Sequence, residues 1–495
     1  MRFLPTGDQM KIADRYTIET IGMPSMVLME RAALQTVEVM EREKLDFSRV
    51  LVVCGPGNNG GDGYAVARLL HMKNIPVDIY FAGNEENRSE DNKKQMEICE
   101  YYHIPTVTSV EDKAYSVVVD AIFGIGLKRK ITGSYYTLIE TLNRLPGAKV
   151  SIDVPTGICD STGVPMGIAF RANITVAIAF AKRGLVLPNA ESYVGNIAVV
   201  DIGIPILALP KNEVAFSFEK TDLRVALPER KTDSNKGTYG KVLMIVGSEG
   251  MAGAAYLSAK AAYASGCGLV QIYTPECNRI ILQQLLPEAI ITSYHEYNEF
   301  ELQRLLDWAD VTLIGCGLGT GEVAEKLVYG TLRFGECSCV IDGDGLNILA
   351  KHMEWLLYAR QKLVLTPHIK EMARLLNCKV DEVKAEPFTR LTEFAESNAV
   401  VCALKDARTL VARKNTNVYV NLTGNSAMAK AGSGDVLAGV ISGFIAQGTD
   451  TYSATCMGVY LHGLAGDIAR EKRGKYSVLA SDIIDALGDA FIEVE

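Results

Sequence analysis

Short apolar runs alternate with helix-periodic stretches along most of this 495-residue chain. In the first part the runs are Val50–Cys54, Val77–Phe81, Val117–Ala121, 149–152 and 174–179, preceded by helical patterns over 9–15 and 24–43. The second part restarts the alternation at 241–246, followed by an Ala-rich helix over Ala252–Ala264. Further strands are expected at 269–273, Val311–Ile314, 339–341, 362–365, 400–404 and 418–420, and long apolar helices at 434–447 and 452–470. Runs apolar throughout fit strands buried on both faces, and their alternation with helices predicts βαβ units in parallel sheets. The fold class is therefore α/β.

The chain is longer than one ordinary core supports. Pro205, Pro210 and Pro228, with mixed charges, interrupt the pattern, so a boundary is expected near residue 215. This divides the chain into domains 1–215 and 216–495. Residues 231–239 (KTDSNKGTY) read as a loop before the second domain's first strand.

Composition narrows the function classes. A formal charge of -9 argues against a general nucleic-acid binder. Residues 1–20 lack the apolar core of a signal peptide, and no apolar run is long enough to span a bilayer. Eleven cysteines without paired spacings fit reduced thiols, and Cys337-Ser338-Cys339 is not a zinc spacing. The expectation is a cytoplasmic protein that binds neither membrane nor nucleic acid.

The densest chemistry lies in Gly55 to Gly63, GPGNNGGDG, read as a loop between the run Val50–Cys54 and a helix over 64–71. Glycines there let backbone N–H groups approach an anion beside a helix N-terminus. The G-x-G-x-x-G pattern is formally present, whereas the Lys-Ser/Thr ending of a P-loop is absent. Asn58, Asn59 and Asp62 add hard oxygens, so the loop can hold a cation as well as a phosphate. Asp120 ends one apolar run and Asp153, followed by Val-Pro-Thr-Gly, ends another. Ligands of parallel α/β sheets gather beyond the carboxyl ends of strands, so Asn59, Asp62, Asp120, Asp153 and Thr156 should converge on one crevice. Each acid taken alone is equally a helix cap.

GPGNNGGDG, DAIFGIG and SIDVPTG together resemble the YjeF N-terminal family, the NAD(P)H-hydrate epimerases, over about residues 1 to 215. The resemblance implies a Rossmann-like domain interconverting the R and S hydrates of damaged NADH or NADPH. Asn58, Asn59, Gly60, Gly61 and Asp62, with Gly124, Ile125, Gly126, Leu127, Lys128, Arg129 and Lys130, would bind the hydrate. Asn59, Asp120 and Thr156 would hold a potassium ion, and Asp153 would contact the reacting nicotinamide. Opening and reclosing a C–O bond beside an enamine nitrogen needs a proton shuttle, for which Asp153 is the first candidate. Lys128, Arg129 and Lys130 suit the dinucleotide phosphates, though such a run is more often a solvated face.

In the second part Ala431-Gly432-Ser433-Gly434-Asp435 precedes the apolar helix. Backbone N–H groups of Gly432 to Asp435 would form an anion hole, and Asp435 would activate a hydroxyl toward a phosphate. This segment resembles the signature of ribokinase-like kinases. With Met251-Ala252-Gly253, Gly315-Cys316-Gly317, Asp342-Gly343-Asp344-Gly345, Thr366-Pro367-His368 and Lys405 to Thr409, it resembles the YjeF C-terminal family, the ADP- or ATP-dependent NAD(P)H-hydrate dehydratases. That family phosphorylates the hydrate's hydroxyl and eliminates phosphate. Asp435 would be the base, while Gly432, Gly434, Lys405, Asp406, Ala407, Arg408 and Thr409 would contact the adenine nucleotide, ADP or ATP. Ala252, Gly253, Gly317 and His368 would line the hydrate site, and a magnesium ion would neutralise the nucleotide's phosphates. Lys370 and Asp406 depart from the family's glycines. His462 reads as a packed histidine on an apolar helix.

A bifunctional repair enzyme, expected as a homo-oligomer, is the leading reading. Its rivals are a ribokinase-like small-molecule kinase with an accessory domain, and a first domain that binds without catalysing.

Overall fold

Val50–Cys54 becomes a strand with every residue buried, and the sheet of the first unit grows around it. The computed structural model describes residues 1–111, 113–211 and 213–495. Its contacts separate Arg2–Ala215 from Phe216–Glu495, to which Met1 also belongs. The first unit's sheet contains β1 (Val50–Cys54), β2 (Val77–Phe81), β3 (Thr106–Val107), β4 (Val117–Ala121), β5 (Ala148–Ile152), β6 (Ile174–Ile178) and β7 (Asn196–Val200). Their order is β3-β2-β1-β4-β5-β6-β7 and every pairing is parallel. The order reverses direction between β1 and β4, where Val52 pairs with Val119 and Cys54 with Ala121. Such a switch point opens a crevice beyond the strand ends.

Helices cover both faces of that sheet. One face packs Val50, Val52, Val117 and Val119 against Ala33 and Val37 of helix Ser25–Arg42 and Tyr64 and Val66 of helix Asn58–Met72. The other packs Leu51, Val53 and Val118 against Ile139 and Leu142 of helix Gly133–Arg144.

The nine-residue glycine segment is not a loop throughout. The helix begins at Asn58, capped by Gly57, so Asn58, Asn59 and Asp62 lie on its opening turns rather than before it. Glycine weakens isolated helices, but here close packing overrides propensity. A Cβ at Gly63 would come within 2.6 Å of the Ala121 Cβ, and one at Gly60 would collide with the Gly55 carbonyl.

The second unit holds β8 (Ala215–Ser217), β9 (Lys241–Ile245), β10 (Leu269–Pro275), β11 (Ile290–Tyr294), β12 (Val311–Ile314), β13 (Ser338–Ile341), β14 (Leu363–Leu365), β15 (Val401–Leu404), β16 (Leu410–Ala412) and β17 (Tyr419–Val420). They run β8-β17-β16-β15-β14-β13-β12-β9-β10-β11. Pairings from β15 through β11 are parallel, and β16 is antiparallel to both its neighbours. Helix Ser433–Ala446 is buried from Val436 onward and packs on helix Ala252–Ala264. The packing is backbone-close, because a Cβ at Gly443 would stand 2.9 Å from the Ala262 carbonyl oxygen.

Strands at sheet edges escape the apolar-run rule. β7 and β11, at the edges, are mostly half-buried or exposed. Among the described residues no helix is long and apolar enough to cross a membrane. The eleven cysteines are free thiols.

Candidate active sites of the two units

In the first unit a cavity of about 770 Å³ lies at the switch point. Asn58, Asn59 and Asp62 reach it from the helix after β1, and residues Ile122 to Arg129 from the turn after β4. Asp153 follows β5 and Lys182 follows β6, while Asp14 comes from the N-terminal helix Gly7–Arg15.

Asp153 adopts a φ of 69°, a left-handed conformation that non-glycine residues seldom take and that clusters at functional positions. Its Oδ1 is paired with the ammonium of Lys182 and accepts the Ile178 N–H at 3.2 Å. Lys182 is 1% exposed and donates again to the Ile178 carbonyl at 2.7 Å. A buried ammonium held this way is a fixed positive charge in the lining of the cavity.

Two further carboxylates share the wall. Burial pushes Asp14 up to about 6; Lys182 opposes this and Asp153 adds to it. Asp62 is raised well above the carboxylate range, first by burial and then by the charges of Asp153 and Asp14.

Asp120 and Thr156 do not face this cavity. Asp120 lies inside β4 and is fully buried, and Thr156 is buried behind the Ile122–Gly124 turn. Thr156 donates its N–H to Asp120 Oδ2 at 2.8 Å and its hydroxyl to Oδ1 at 2.6 Å; Ser151 Oγ adds a third hydrogen bond at 3.1 Å. Thr156 Oγ1 also accepts the Phe123 N–H at 3.0 Å. Burial raises Asp120 to about 6 against these hydrogen bonds. The expected single crevice thus becomes two layers, because a residue inside a strand points into the sheet's packing. Asn59 links them: its side chain is 3.1 Å from where a Gly124 Cβ would stand, and its Nδ2 is buried without a partner. Gly60 and Gly61 are buried in packing, Gly124 to Leu127 line the wall, and Lys128, Arg129 and Lys130 are exposed.

Lys182 and Asp14 are absent from the sequence-derived set. Lys182 sits after β6 in Ala-Lys-Arg-Gly, so the strand-end rule that selected Asp153 would have reached it. Asp14 lies in an ordinary amphipathic helix and offered no such signal.

In the second unit Gly432 caps helix Ser433–Ala446 with a φ of 90°. Asp435 stands on the first turn, and one ligand atom each of Cys316, Asp342 and Asp435 lie within 4.8 Å of one another. Burial, then the Asp342 charge, raises Asp435 to about 6. Asp342 is paired with Lys405 at 2.5 Å and accepts the Thr366 hydroxyl at 2.6 Å. Burial alone would lower Lys405, but Asp342 and Glu371 outweigh it and raise the ammonium. A Cβ at Gly434 would lie 3.2 Å from Lys405 Nζ, so an ammonium and a helix N-terminus face the same spot. Both stabilise a transferring phosphoryl group.

Gly317 packs on the opening of helix Ala252–Ala264, where its Cβ would be 2.8 Å from that of Ala254; Ala252 is buried and Gly253 exposed. His368 instead caps helix Ile369–Leu375, its Nδ1 accepting the N–H groups of Lys370 at 3.0 Å and Glu371 at 3.2 Å. Asp406 and Ala407 are exposed, and Arg408 and Thr409 half-buried. His462 is buried with Nε2 3.4 Å from Ser433 Oγ, and burial lowers it to about 4, so it is neutral at physiological pH.

The two sites define a two-domain α/β enzyme of nucleotide chemistry, and comparison with known proteins gives the family. The YjeF-related protein N-terminus model matches residues 25–184, and the NAD(P)H-hydrate dehydratase model matches residues 242–488. A bifunctional NAD(P)H-hydrate repair enzyme of Moorella thermoacetica is 35% identical over 511 residues, covering 98% of this chain and 96% of its own length. The corresponding Escherichia coli enzyme is 31% identical, covering 97% of this chain and 92% of its own. An ADP/ATP-dependent NAD(P)H-hydrate dehydratase from Bacillus subtilis, co-crystallised with ATP and Mg2+, superposes with a TM-score of 0.51. It is 30% identical and covers 56% of this chain and 98% of its own. The chain belongs to the family of bifunctional NAD(P)H-hydrate repair enzymes.

Proposed function

We propose that residues 1–215 epimerise the R and S hydrates of NADH and NADPH, and that residues 216–495 dehydrate the S hydrate. The second reaction consumes ADP or ATP and regenerates NAD(P)H with release of AMP or ADP and phosphate. The observation that carries this reading is similarity along nearly the whole chain to enzymes that combine both activities. The rival of a small-molecule kinase with a non-catalytic partner domain does not account for similarity over 97% and 98% of the chain to bifunctional repair enzymes.

In the first site the glycine-rich helix start and Gly124 to Lys130 bind the hydrate, with its phosphates toward Lys128 and Arg129 on the rim. Asp153 meets the reacting ring. Asn59, Asp120 and Thr156 hold a potassium ion in this reading. The buried Asn59 Nδ2 has no partner, and turning the amide over would offer an oxygen there instead, in keeping with a cation ligand. The ion would supply fixed positive charge behind the Ile122–Gly124 turn.

In the second site Asp435 takes the proton from the hydrate's hydroxyl as the phosphoryl group arrives. The N–H groups of Gly432 and Gly434 and the ammonium of Lys405 stabilise that group, and Lys405 to Thr409 hold the nucleotide. Ala252, Gly253 and Gly317 shape the hydrate pocket, while His368 acts by fixing the turn beside Lys405, whose N–H donates to the Pro367 carbonyl at 2.8 Å. Magnesium would enter on the nucleotide's phosphates and neutralise them, with the Asp344 carboxylate near Asp435 as a hard oxygen donor.

The free thiols support a cytoplasmic location. Supplying mixed R and S hydrates with ADP or ATP and following the reduced nicotinamide's absorbance tests both units. Recovery limited to the S fraction would refute the epimerase half, and a stable phosphorylated product would refute the dehydratase half.

A further inference from the structure

Inverting the hydroxyl-bearing carbon beside the ring nitrogen needs a proton delivered on one face of the ring and another removed on the opposite face. Asp153 serves one face only, since Lys182 and the Ile178 N–H fix its position. We propose that Asp14 is the second proton-transferring group of the first unit's site, acting in the same cavity as Asp153, and that Lys182 is a positioning residue acting through Asp153. The proposal rests on the epimerase reading of residues 1–215.

Two geometric observations single out Asp14. It lines the same cavity as Asp153, Asp62 and Lys182, yet comes from the N-terminal helix and not from the strand ends. That helix also loosens after Arg15, the residue following Asp14, into a π-helical turn, Tyr16–Thr20, closed by the Ile21 N–H on the Tyr16 carbonyl at 3.1 Å. Single π-turns are rare and concentrate at functional sites, and Ile18 from this turn also lines the cavity. A half-buried carboxylate in the last turn of a helix opposes the helix dipole, so the position is costly for a residue with only a structural role.

The charges around Asp14 suit the task. It interacts with Lys182, Asp153 and Asp62, and Asp91, Lys11, Lys128 and Arg129 line the same cavity. With its affinity raised to about 6 it can both give and regain a proton near neutrality. Asp62 is raised as well, first by burial and then by the charges of Asp153 and Asp14.

The step balances. The Asp14 carboxylic acid protonates the hydrate's hydroxyl, the C–O bond breaks, water leaves, and the nitrogen lone pair closes a C=N bond. Water then adds to the other face of that carbon, the C=N pair returns to nitrogen, and the Asp153 carboxylate accepts the added water's proton. That proton returns to Asp14 through water in the cavity, and the reverse epimerisation exchanges the two roles.

The test uses the full-length protein and the purified R hydrate of NADH, with no adenine nucleotide present. Appearance of the S hydrate is followed chromatographically, and dehydration of the S hydrate with ADP or ATP is assayed separately. Asp14→Asn is expected to lower the epimerisation kcat by about 100-fold or more, with KM within about threefold and dehydration unchanged. Asp14→Glu is expected to restore part of the rate and to move the pH profile, while Lys182→Arg retains more activity than Lys182→Met. Epimerisation by Asp14→Asn within about threefold of the unsubstituted protein overturns the proposal, as does a loss confined to KM. So does an Asp14→Glu variant whose pH profile is unmoved. If the unsubstituted protein does not epimerise, it is the epimerase reading that fails, and the role of Asp14 falls with it.

Discussion

The Lys182–Asp153 pair offers a sharp test of how the first site is held. Side-chain exposures of 1% and 10% leave little room for water to replace a lost partner. Removing one member of such a pair strands the other charge, at a cost of about 3–5 kcal/mol. Lys182→Met should therefore destabilise the first unit by about that amount, since Asp153 keeps only the Ile178 N–H. Asp153→Asn should cost a similar amount by stranding the ammonium, and its backbone should tolerate the change because asparagine accepts the left-handed conformation at φ 69°. The double variant strands neither charge, so it should be more stable than the two single losses added together by about 2 kcal/mol or more. The readout must report the right unit. Both tryptophans, Trp308 and Trp355, lie in the second unit, so their fluorescence is blind to this change. Hydrogen exchange at the β5 and β6 amides in the full chain is the appropriate measurement. Additive losses would refute the reasoning, because they would mean the two charges are solvated independently.

Other outcomes follow from the same structure. Asp435→Asn should abolish nucleotide-dependent recovery of NADH from the S hydrate, by about 100-fold or more, and leave epimerisation intact. Because Asp435 is raised from 3.8 to about 6, the dehydration rate should fall as pH drops through about 6, where the base becomes protonated. A falling limb near 4 instead would contradict that environment. Gly432→Ala should cost about 1–2 kcal/mol for the left-handed φ, with a further clash 2.5 Å from Leu257 Cδ1, and should depress dehydration alone; separate assays of the two reactions check this. Gly60→Ala should instead depress epimerisation alone, since its Cβ would collide with the Gly55 carbonyl and push the helix start away from β1.

Much of this protein was legible in order along the chain. Buried central strands announce themselves as continuous apolar runs, so β1, β2, β4 and β12 fall on the residues the pattern predicts. Asp153 and Asp435 stand out because strand ends and glycine-flanked helix starts are where α/β sheets place chemistry. The edge strand β11 carries a weak signal, because Ile290-Ile291 gives way at once to Thr292-Ser293 where one edge meets water.

Tertiary structure decided the rest, and the reason is distance along the chain. Whether GPGNNGGDG is a loop or the start of a helix depends on how near Met29 and Ala121 approach it, which local propensity does not contain. Asp120 and Thr156 read like crevice residues, yet Asp120 lies inside β4, and Thr156, in the turn after β5, folds back to bond it in the buried layer. Lys182 is an unremarked lysine until folding brings it across 29 residues to Asp153. Asp14 joins them only because a separate helix lays its last turn along the cavity. Local pattern determines which elements form and which motifs they carry; the field at a site is summed over residues that only the fold makes neighbours.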